Sequence, residues 1–311
     1  MSILDSSLQD NHVVGTRGKG GGFSCISSTV KVKESTIEQN SAGQDGGAIS
    51  ATFCPITMTS VTVSSNKAVA GRGGGLNAEL MCEINIKNSL FQQNTASILG
   101  AGVFAEEVLS CRITGSTFAA NKAGTQKEET DETSGGGGAV GTLSSQNIMI
   151  ADTRFISNAA LGAAGGGALN LNMGDIDVLK LETSSFRPVV SNCNFTTNLA
   201  PAGGGGALKW TASPRAMTDF DPGQDDPVLW VNNNALKNTA LYGDVAASAQ
   251  RTVFVVEGPS ASWSPCGLPF YYIPRGVSYC KPNNQCPSFV TSKSGANKRT
   301  EGGGKSFNTP L

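Results

Sequence analysis

The sequence is poor in charged and aromatic side chains, and these shortages exclude several classes of protein. Charged residues make up 15% and aromatic residues 6% of the 311 residues, and there is a single histidine. Lysine and arginine (23) balance aspartate and glutamate (24), which argues against a protein that binds nucleic acid through a basic surface. No run of about 18 apolar residues occurs, so no transmembrane helix is predicted. The hydrophobic content of 39% is too high for a disordered chain.

Glycine is abundant, with 39 residues, but it does not recur at every third position, which excludes collagen. Instead, two short phrases alternate along the chain. One phrase is an apolar residue, two variable residues and an asparagine, and successive copies lie 26 to 29 residues apart at first and 37 to 40 apart later. The other is glycine-rich and ends in an apolar residue, as in Gly46–Ile49. About eight copies of this pair indicate a solenoid, with the longer spacings produced by loop insertions.

Within each repeat the apolar residues alternate with polar ones, which is the pattern of half-buried strands. Counted back from each asparagine, positions −10 and −8 are mostly apolar, and position −3 is an aliphatic residue or phenylalanine. In the repeat that ends at Asn40 these positions are Val30, Val32 and Ile37. No segment has a sustained helical period. The sequence therefore predicts an all-β fold, a right-handed parallel β-helix of about eight rungs, each with three short strands and a glycine corner.

Stacking in register places equivalent residues of successive rungs in columns. We expect a core column of phenylalanines at position −3, made of Phe91, Phe118, Phe155 and Phe195. We also expect an asparagine ladder of turn-forming residues that hydrogen-bond from rung to rung, made of Asn40, Asn66, Asn94, Asn121, Asn158 and Asn198. These asparagines are interpreted as structural and not as ligands.

The two phrases resemble the polymorphic outer membrane protein repeat, which pairs Gly-Gly-Ala-Ile/Leu/Val with Phe-x-x-Asn. Gly137–Val140, Gly166–Leu169 and Gly205–Leu208 have the first form, and Phe91–Asn94 and Phe118–Asn121 have the second. The resemblance covers roughly residues 5–250. It implies a β-helical passenger displayed on a cell surface, often an adhesin. Bacterial members carry a C-terminal transporter barrel, and no series of barrel strands follows residue 250. Similar repeats also occur in large surface proteins of algae and other protists, which would fit the missing barrel.

Three segments are predicted along the chain. Residues 1–250 form the β-helix, residues 251–290 form a cysteine-containing cap or partial extracellular module, and residues 291–311 form a disordered tail. The segment Met1–Gln9 has neither the basic start nor the apolar run of a signal peptide, so the sequence is expected to be a fragment of a longer chain or to come from a gene model that lacks its start.

Two interpretations of the cysteines stay open. Cys54 and Cys82 both lie twelve residues before their asparagine and should stack on neighbouring rungs, either as a disulfide or as buried free thiols. Disulfides would imply an oxidising compartment. In the tail, Cys266, Cys280 and Cys286 are candidates for disulfides that staple the cap. No CxxC pair is present, so no metal site and no cofactor are expected.

Candidate catalytic residues are few. Many parallel β-helices are polysaccharide lyases or hydrolases, which need either paired carboxylates or a Ca²⁺ site with an arginine or lysine base on one face. The only pair of adjacent aspartates is Asp225 and Asp226, in a proline-bounded loop, and we interpret it as solvated. His12 lies on a terminal rung and is expected to be structural or exposed. Asn194 begins a glycosylation sequon and should face solvent, because the following Phe195 faces inward.

The sequence therefore predicts a non-catalytic extracellular or cell-surface solenoid that acts in adhesion or as a structural rod. Its partners would be surface or matrix proteins or glycans. The binding face would lie where insertions cluster, at residues 122–134, 175–188 and 211–227, with Trp210 either an aromatic contact or part of the core. The alternatives are a polysaccharide-degrading enzyme, inactivated by Asp225→Asn, and an architectural subunit of an extracellular filament or wall.

Overall fold

The computed structural model consists of short strands stacked in four parallel sheets. It describes residues 1–124, 135–172, 188–211, 228–242 and 244–248, and after them only the backbone of six further strands. In each rung the chain passes once through every sheet, and each strand pairs in parallel with the equivalent strand of the next rung. This confirms the parallel β-helix, and no helix occurs in the part of the chain that the structure describes.

Two of the sheets carry the strands that the apolar pattern predicts most clearly. The parallel strands of the first sheet are Ser2–Leu4, Val30–Lys33, Ile56–Thr59, Glu83–Lys87, Ser110–Thr114, Ile148–Ala151, Val189–Ser191, Val228–Val231 and Thr252–Glu257. The strands of the second sheet are Ser7–Gln9, Thr36–Glu38, Thr62–Ser64, Leu90–Gln92, Thr117–Ala119, Arg154–Ile156, Asn194–Thr196 and Asn234–Leu236. Positions −10 and −8 face inward in the first sheet, as shown by the fully buried Val30 and Val32.

The third and fourth sheets flank the glycine corner. The strands of the third sheet are His12–Val13, Ser41–Ala42, Lys67–Ala68, Thr95–Ala96, Lys122–Ala123, Ala159–Ala160, Leu199–Gly204 and Thr239–Tyr242. The strands of the fourth sheet are Phe23–Ile26, Ile49–Thr52, Leu76–Glu79, Val103–Glu106, Val140–Leu143, Leu169–Asn172, Leu208–Thr211 and Ala246–Ser248. Each rung thus has four strands and not the three expected. The additional strand is mostly two residues long, too short to show an alternating pattern.

The phenylalanines of position −3 form one continuous column in the core. Phe91 pairs in register with Phe118, Phe118 with Phe155, and Phe155 with Phe195. The ring centroids of these pairs are 4.9, 5.3 and 4.8 Å apart, and the rings are stacked. All four side chains are fully buried. The expected column is therefore confirmed.

The last described rung keeps the aromatic column although its own residue at position −3 is an alanine. Ala235 pairs in register with Phe195. The indole of Trp230, from the first sheet, stacks on Phe195 instead, with ring centroids 4.9 Å apart. A large ring from a neighbouring sheet thus fills the volume that alanine leaves, as close packing of a core requires.

The asparagines form a fully bonded ladder inside the solenoid. The Nδ2 group of Asn66 donates to Oδ1 of Asn94 (3.0 Å) and to the backbone oxygen of Ile37 (2.9 Å). Its Oδ1 accepts from both the backbone N–H and the Nδ2 group of Asn40, each at 3.0 Å. The same pattern continues through Asn94, Asn121, Asn158 and Asn198, all with no exposed surface. Each interior amide thereby satisfies its donors and acceptor, so burial carries no unpaired-group penalty.

The first glycine of each glycine-rich phrase has a positive φ, which explains its presence. Gly100 has φ +58°, and a Cβ atom there would lie 2.4 Å from the backbone oxygen of Val103. No side chain fits without a backbone shift, because real Cβ atoms do not approach an oxygen that closely. The glycine therefore fixes the point at which each rung turns into the fourth sheet.

After residue 248 only backbone strands are described. Thr252–Glu257 continues the first sheet in parallel, and Val277–Cys280 and then Phe270–Ile273 extend that sheet in antiparallel fashion. Ser288–Val290, Lys298–Glu301 and Lys305–Phe307 form a separate antiparallel sheet. The cap and the disordered tail stay predictions, because most of residues 249–311 lies outside the described part of the chain.

Candidate functional site

The structure assigns the cysteines of the solenoid to buried free thiols. Cys54 and Cys82 lie on neighbouring rungs, with the backbone N–H of Cys54 donating to Sγ of Cys82 at 3.1 Å, and both are free. The structure thus contains the free-thiol alternative, and a Cys54–Cys82 disulfide is not confirmed. Residues stacked in register are about 4.8 Å apart with parallel side chains, whereas a disulfide needs Cβ atoms that converge to about 3.8 Å.

Burial makes these thiols unreactive. Burial raises the pKa of Cys111 and of Cys193 to about 12, and it also raises the pKa of Cys82. Burial raises the pKa of Cys25 too, with a contribution from the neighbouring Cys54. Because the thiolate is the nucleophile and the metal ligand, this column is suited to packing and not to chemistry.

Thiol labelling tests this assignment. At pH 8 we expect maleimide to leave the five described cysteines unmodified in the folded protein and to modify all of them in denaturant, as mapped by peptide mass spectrometry. The five are Cys25, Cys54, Cys82, Cys111 and Cys193. Native-state labelling at the denatured rate, or a peptide that links Cys54 to Cys82, would contradict the free, buried thiols.

The same pKa shifts predict a loss of stability in alkali. Below about pH 8.5 the Cys111 thiol is protonated in both the folded and the unfolded state, so its raised pKa does not lower the free energy of unfolding. As the pH rises from there towards the folded-state pKa of about 12, only the unfolded state ionises, and the free energy of unfolding falls. We expect Cys111→Val to show a shallower decline than the parent in urea titrations between pH 8 and 10, and an identical decline would refute the prediction.

Three other predicted residues are described. Asn194 is exposed, as expected, and its Oδ1 accepts a hydrogen bond from Oγ1 of Thr196 at 3.2 Å. His12 is exposed on the first rung. Trp210 is 2% exposed and belongs to the core, so it is not an aromatic contact on the surface. Glycosylation of Asn194 stays a prediction.

The remaining predicted positions lie largely or wholly outside the described residues. Most of each insertion segment is among them, at residues 125–134, 173–187 and 212–227. So are Asp225, Asp226, Cys266 and Cys286, and the side chain of Cys280. The predicted binding face and the stapled cap therefore stay predictions.

Polar groups gather instead on the outer surface of the fourth sheet. Alternation turns Leu76 and Ala78 inward and Asn77 outward, yet Asn77 is fully buried, as is Phe104 in the equivalent position of the next rung. The loop before the third glycine phrase covers Phe104, since the guanidinium of Arg72 lies 5.0 Å above its ring. This part of the sheet therefore has a second, polar layer outside the core.

Ion pairs link this layer across successive rungs. Nζ of Lys19 lies 3.1 Å from Oδ2 of Asp45 and 3.1 Å from Oε2 of Glu79. Nη1 of Arg72 lies 2.7 Å from Oε2 of Glu106. Glu79 and Glu106 pair in register, so two carboxylates from adjacent rungs project from the same face of the sheet. We call Lys19, Asp45, Arg72, Asn77, Glu79 and Glu106 the charged cluster.

The two glutamates have different environments. Burial raises the pKa of Glu106, the charge of Arg72 opposes that rise, and the charges of Glu79 and Glu107 add to it. Glu79 is held by both Lys19 and the side-chain amide of Asn77, whose Nδ2 donates to its Oε1 at 2.9 Å. Burial lowers the pKa of Lys19, but its hydrogen bonds and attraction to Asp45 and Glu79 outweigh burial and raise it.

Sequence analysis did not predict the charged cluster, because its residues are spread over several repeats. A positional signal nevertheless exists. Lys19, Asp45 and Arg72 each directly precede the first glycine of a phrase, and Glu79 and Glu106 each follow the end of a phrase by three residues. Counting charges at equal repeat offsets would have grouped them on neighbouring rungs.

Two kinds of feature are absent from the described residues. They contain no group of three or more His, Cys, Asp or Glu residues arranged to hold a metal ion. They also contain no helix long and apolar enough to cross a membrane.

The fold and its ladders define a repeat solenoid in which one amino-acid pattern is used on every rung. Residues 34–52 match the family model described as the Chlamydia polymorphic membrane protein (Chlamydia_PMP) repeat. The resemblance proposed from the sequence is thus supported over one repeat, which spans the asparagine Asn40 and the glycine phrase Gly46–Ile49. No curated protein and no solved structure matches the chain.

Proposed function

We propose that this protein is a non-catalytic, surface-displayed β-helical repeat protein that acts in adhesion or as a structural rod. The observation that carries the proposal is the use of the repeat residues as scaffold. The invariant asparagines hydrogen-bond only to neighbouring rungs and the phenylalanines stack in the core. The residues that recur in every repeat therefore serve to stack the coils. The match to the polymorphic membrane protein repeat favours display on a cell surface.

The partners proposed for this solenoid are surface or matrix proteins or glycans. A rod of stacked coils offers a long lateral surface on which loops and outward side chains vary without disturbing the core. An architectural subunit of a filament or wall is a form of the same role, with a second copy as the partner.

One observation favours the alternative of a polysaccharide-degrading enzyme. Glu79 and Glu106 are register-adjacent carboxylates in different environments, which is the arrangement that acid–base hydrolysis of glycosides uses. Against it, both oxygens of Glu79 are engaged by Lys19 and one also by Asn77, which disfavours attack by this carboxylate. Release of reducing ends from a panel of polysaccharides, lost on Glu106→Gln, would support the enzyme.

Surface display is tested directly on cells of the source organism. Antibodies raised against the folded chain should label intact cells as strongly as permeabilised ones. A cytoplasmic enzyme of the same cells serves as the control and should be labelled only after permeabilisation. If the folded chain is also detected only after permeabilisation, the proposed function is refuted.

A further inference from the structure

We propose that the charged cluster, together with the exposed ring of Phe53, binds an uncharged carbohydrate. This inference rests on the proposed function and deepens it, because it names the chemical class of one ligand and the rungs that hold it. The site lies on the first to fourth rungs, along the outer face of the fourth sheet and the corner that follows it.

An unpaired amide oxygen inside the cluster indicates a missing ligand group. Asn77 is fully buried and its Nδ2 donates to Glu79, but its Oδ1 has no hydrogen-bond partner. The amide cannot be flipped to correct this, because Oδ1 would then face the Glu79 carboxylate, which only accepts. A buried acceptor without a donor costs free energy, and a ligand hydroxyl that reaches it after a small side-chain movement would remove that cost.

The other groups of the cluster supply complementary donors and acceptors. Lys19 already places its ammonium between Asp45 and Glu79, so it organises the carboxylates. Arg72 makes one side-chain hydrogen bond among the described residues, to Glu106, and a guanidinium has five N–H groups. Arginine donors beside carboxylate and amide acceptors match the hydroxyls of a sugar, each of which donates and accepts.

Phe53 provides the apolar surface that a sugar ring also needs. Phe53 is 46% exposed, and its backbone N–H donates to the backbone oxygens of Glu79 and Leu80, at 3.3 and 3.1 Å. Its backbone therefore lies at the corner directly beside that of Glu79. Its φ of +54° is the turn conformation that the equivalent residues Leu80 and Glu107 also adopt, so it belongs to the corner of the repeat. The C–H face of a pyranose packs on such a ring.

The charge balance selects the kind of sugar. Asp45, Glu79, Glu106 and the neighbouring Glu107 outnumber the two cations, Lys19 and Arg72. A carboxylate on the ligand would meet net repulsion, so uronic-acid sugars should bind less well than neutral ones.

Isothermal titration calorimetry tests the site on the full chain. The probes are maltotriose, cellotriose, chitotriose and mannotriose, with trigalacturonate as the acidic comparison. We expect at least one neutral trisaccharide to bind with a Kd between about 10 µM and 1 mM, and trigalacturonate to bind at least about tenfold more weakly. If none of the four neutral probes binds at about 5 mM, a concentration above the expected Kd range, the proposal is overturned.

Variants then locate the binding. Phe53→Ala and Glu106→Gln should each weaken the bound trisaccharide by about tenfold or more, with thermal unfolding confirming that they fold. The matched control removes the exposed ion pair between Lys33 and Glu34 on the first sheet, as Lys33→Ala, and should leave the affinity unchanged. Equal affinity in all variants refutes this site while leaving surface display intact, because the antibody experiment decides display separately.

Discussion

Replacing Phe118 with alanine should destabilise the solenoid by about 4 kcal/mol. The ring is fully buried and stacks on Phe91 and on Phe155, so the substitution creates a cavity and interrupts the column at its centre. The free energy of unfolding would be measured by urea denaturation followed by circular dichroism. Another ring can fill a gap in the column only where such a ring lies nearby, as the indole of Trp230 does beside Ala235.

Phe53→Ala is the matched control, since the same side chain is removed from an exposed corner, and its cost should stay below about 1 kcal/mol. Should Phe118→Ala fail to fold, Phe118→Leu conserves more volume and should lose about 1.5 kcal/mol. Equal urea midpoints for Phe118→Ala and Phe53→Ala would show that the stacked column does not stabilise the fold.

Replacing Asn94 with alanine should cost roughly 3–5 kcal/mol, because several buried groups lose their partners at once. Oδ1 of Asn94 accepts from the backbone N–H and from Nδ2 of Asn66, at 3.1 and 3.0 Å. Its Nδ2 donates to the backbone oxygen of Val63 and to Oδ1 of Asn121. No water can replace these bonds without opening the rung. Native-state hydrogen exchange should show faster exchange of the Asn66 amide than in the parent.

The ladder contains its own control. Asn11 is the first member and is exposed, and its Nδ2 donates to Oδ1 of Asn40 at 2.9 Å. Asn11→Ala removes the same side chain where water can replace the lost bonds, so it should cost less than about 1 kcal/mol. If the two alanine variants are equally stable, the buried ladder contributes no more than an exposed turn.

Several sequence-based predictions concern the tail and the insertion segments, most of which lie outside the described residues. Cys266, Cys280 and Cys286 stay candidates for a stapled cap, and Asn194 for glycosylation. Mass spectrometry of the non-reduced protein isolated from its source cells would decide both, by the masses of the peptides that contain these residues.

The repeat itself determined the fold and its columns. In a parallel stack, strands pair without offset, so residues at equal positions in successive repeats must lie above one another. Counting back from each asparagine was therefore enough to place Phe118 on Phe91 and Asn94 beside Asn66. The inward positions of Val30 and Val32 followed from the two-residue alternation of a strand.

Only the tertiary structure decided what happens where the chain leaves this simple register. The two-residue strands of the third sheet depend on pairing with their neighbours, since sequences such as Ser41–Ala42 have no pattern of their own. The thiol state of Cys54 and Cys82 depends on side-chain direction, and the packing of Trp230 against Phe195 depends on a contact between two sheets. The charged cluster forms because loops from three rungs fold over the fourth sheet, and the distance along the chain from Lys19 to Glu79 conceals their contact.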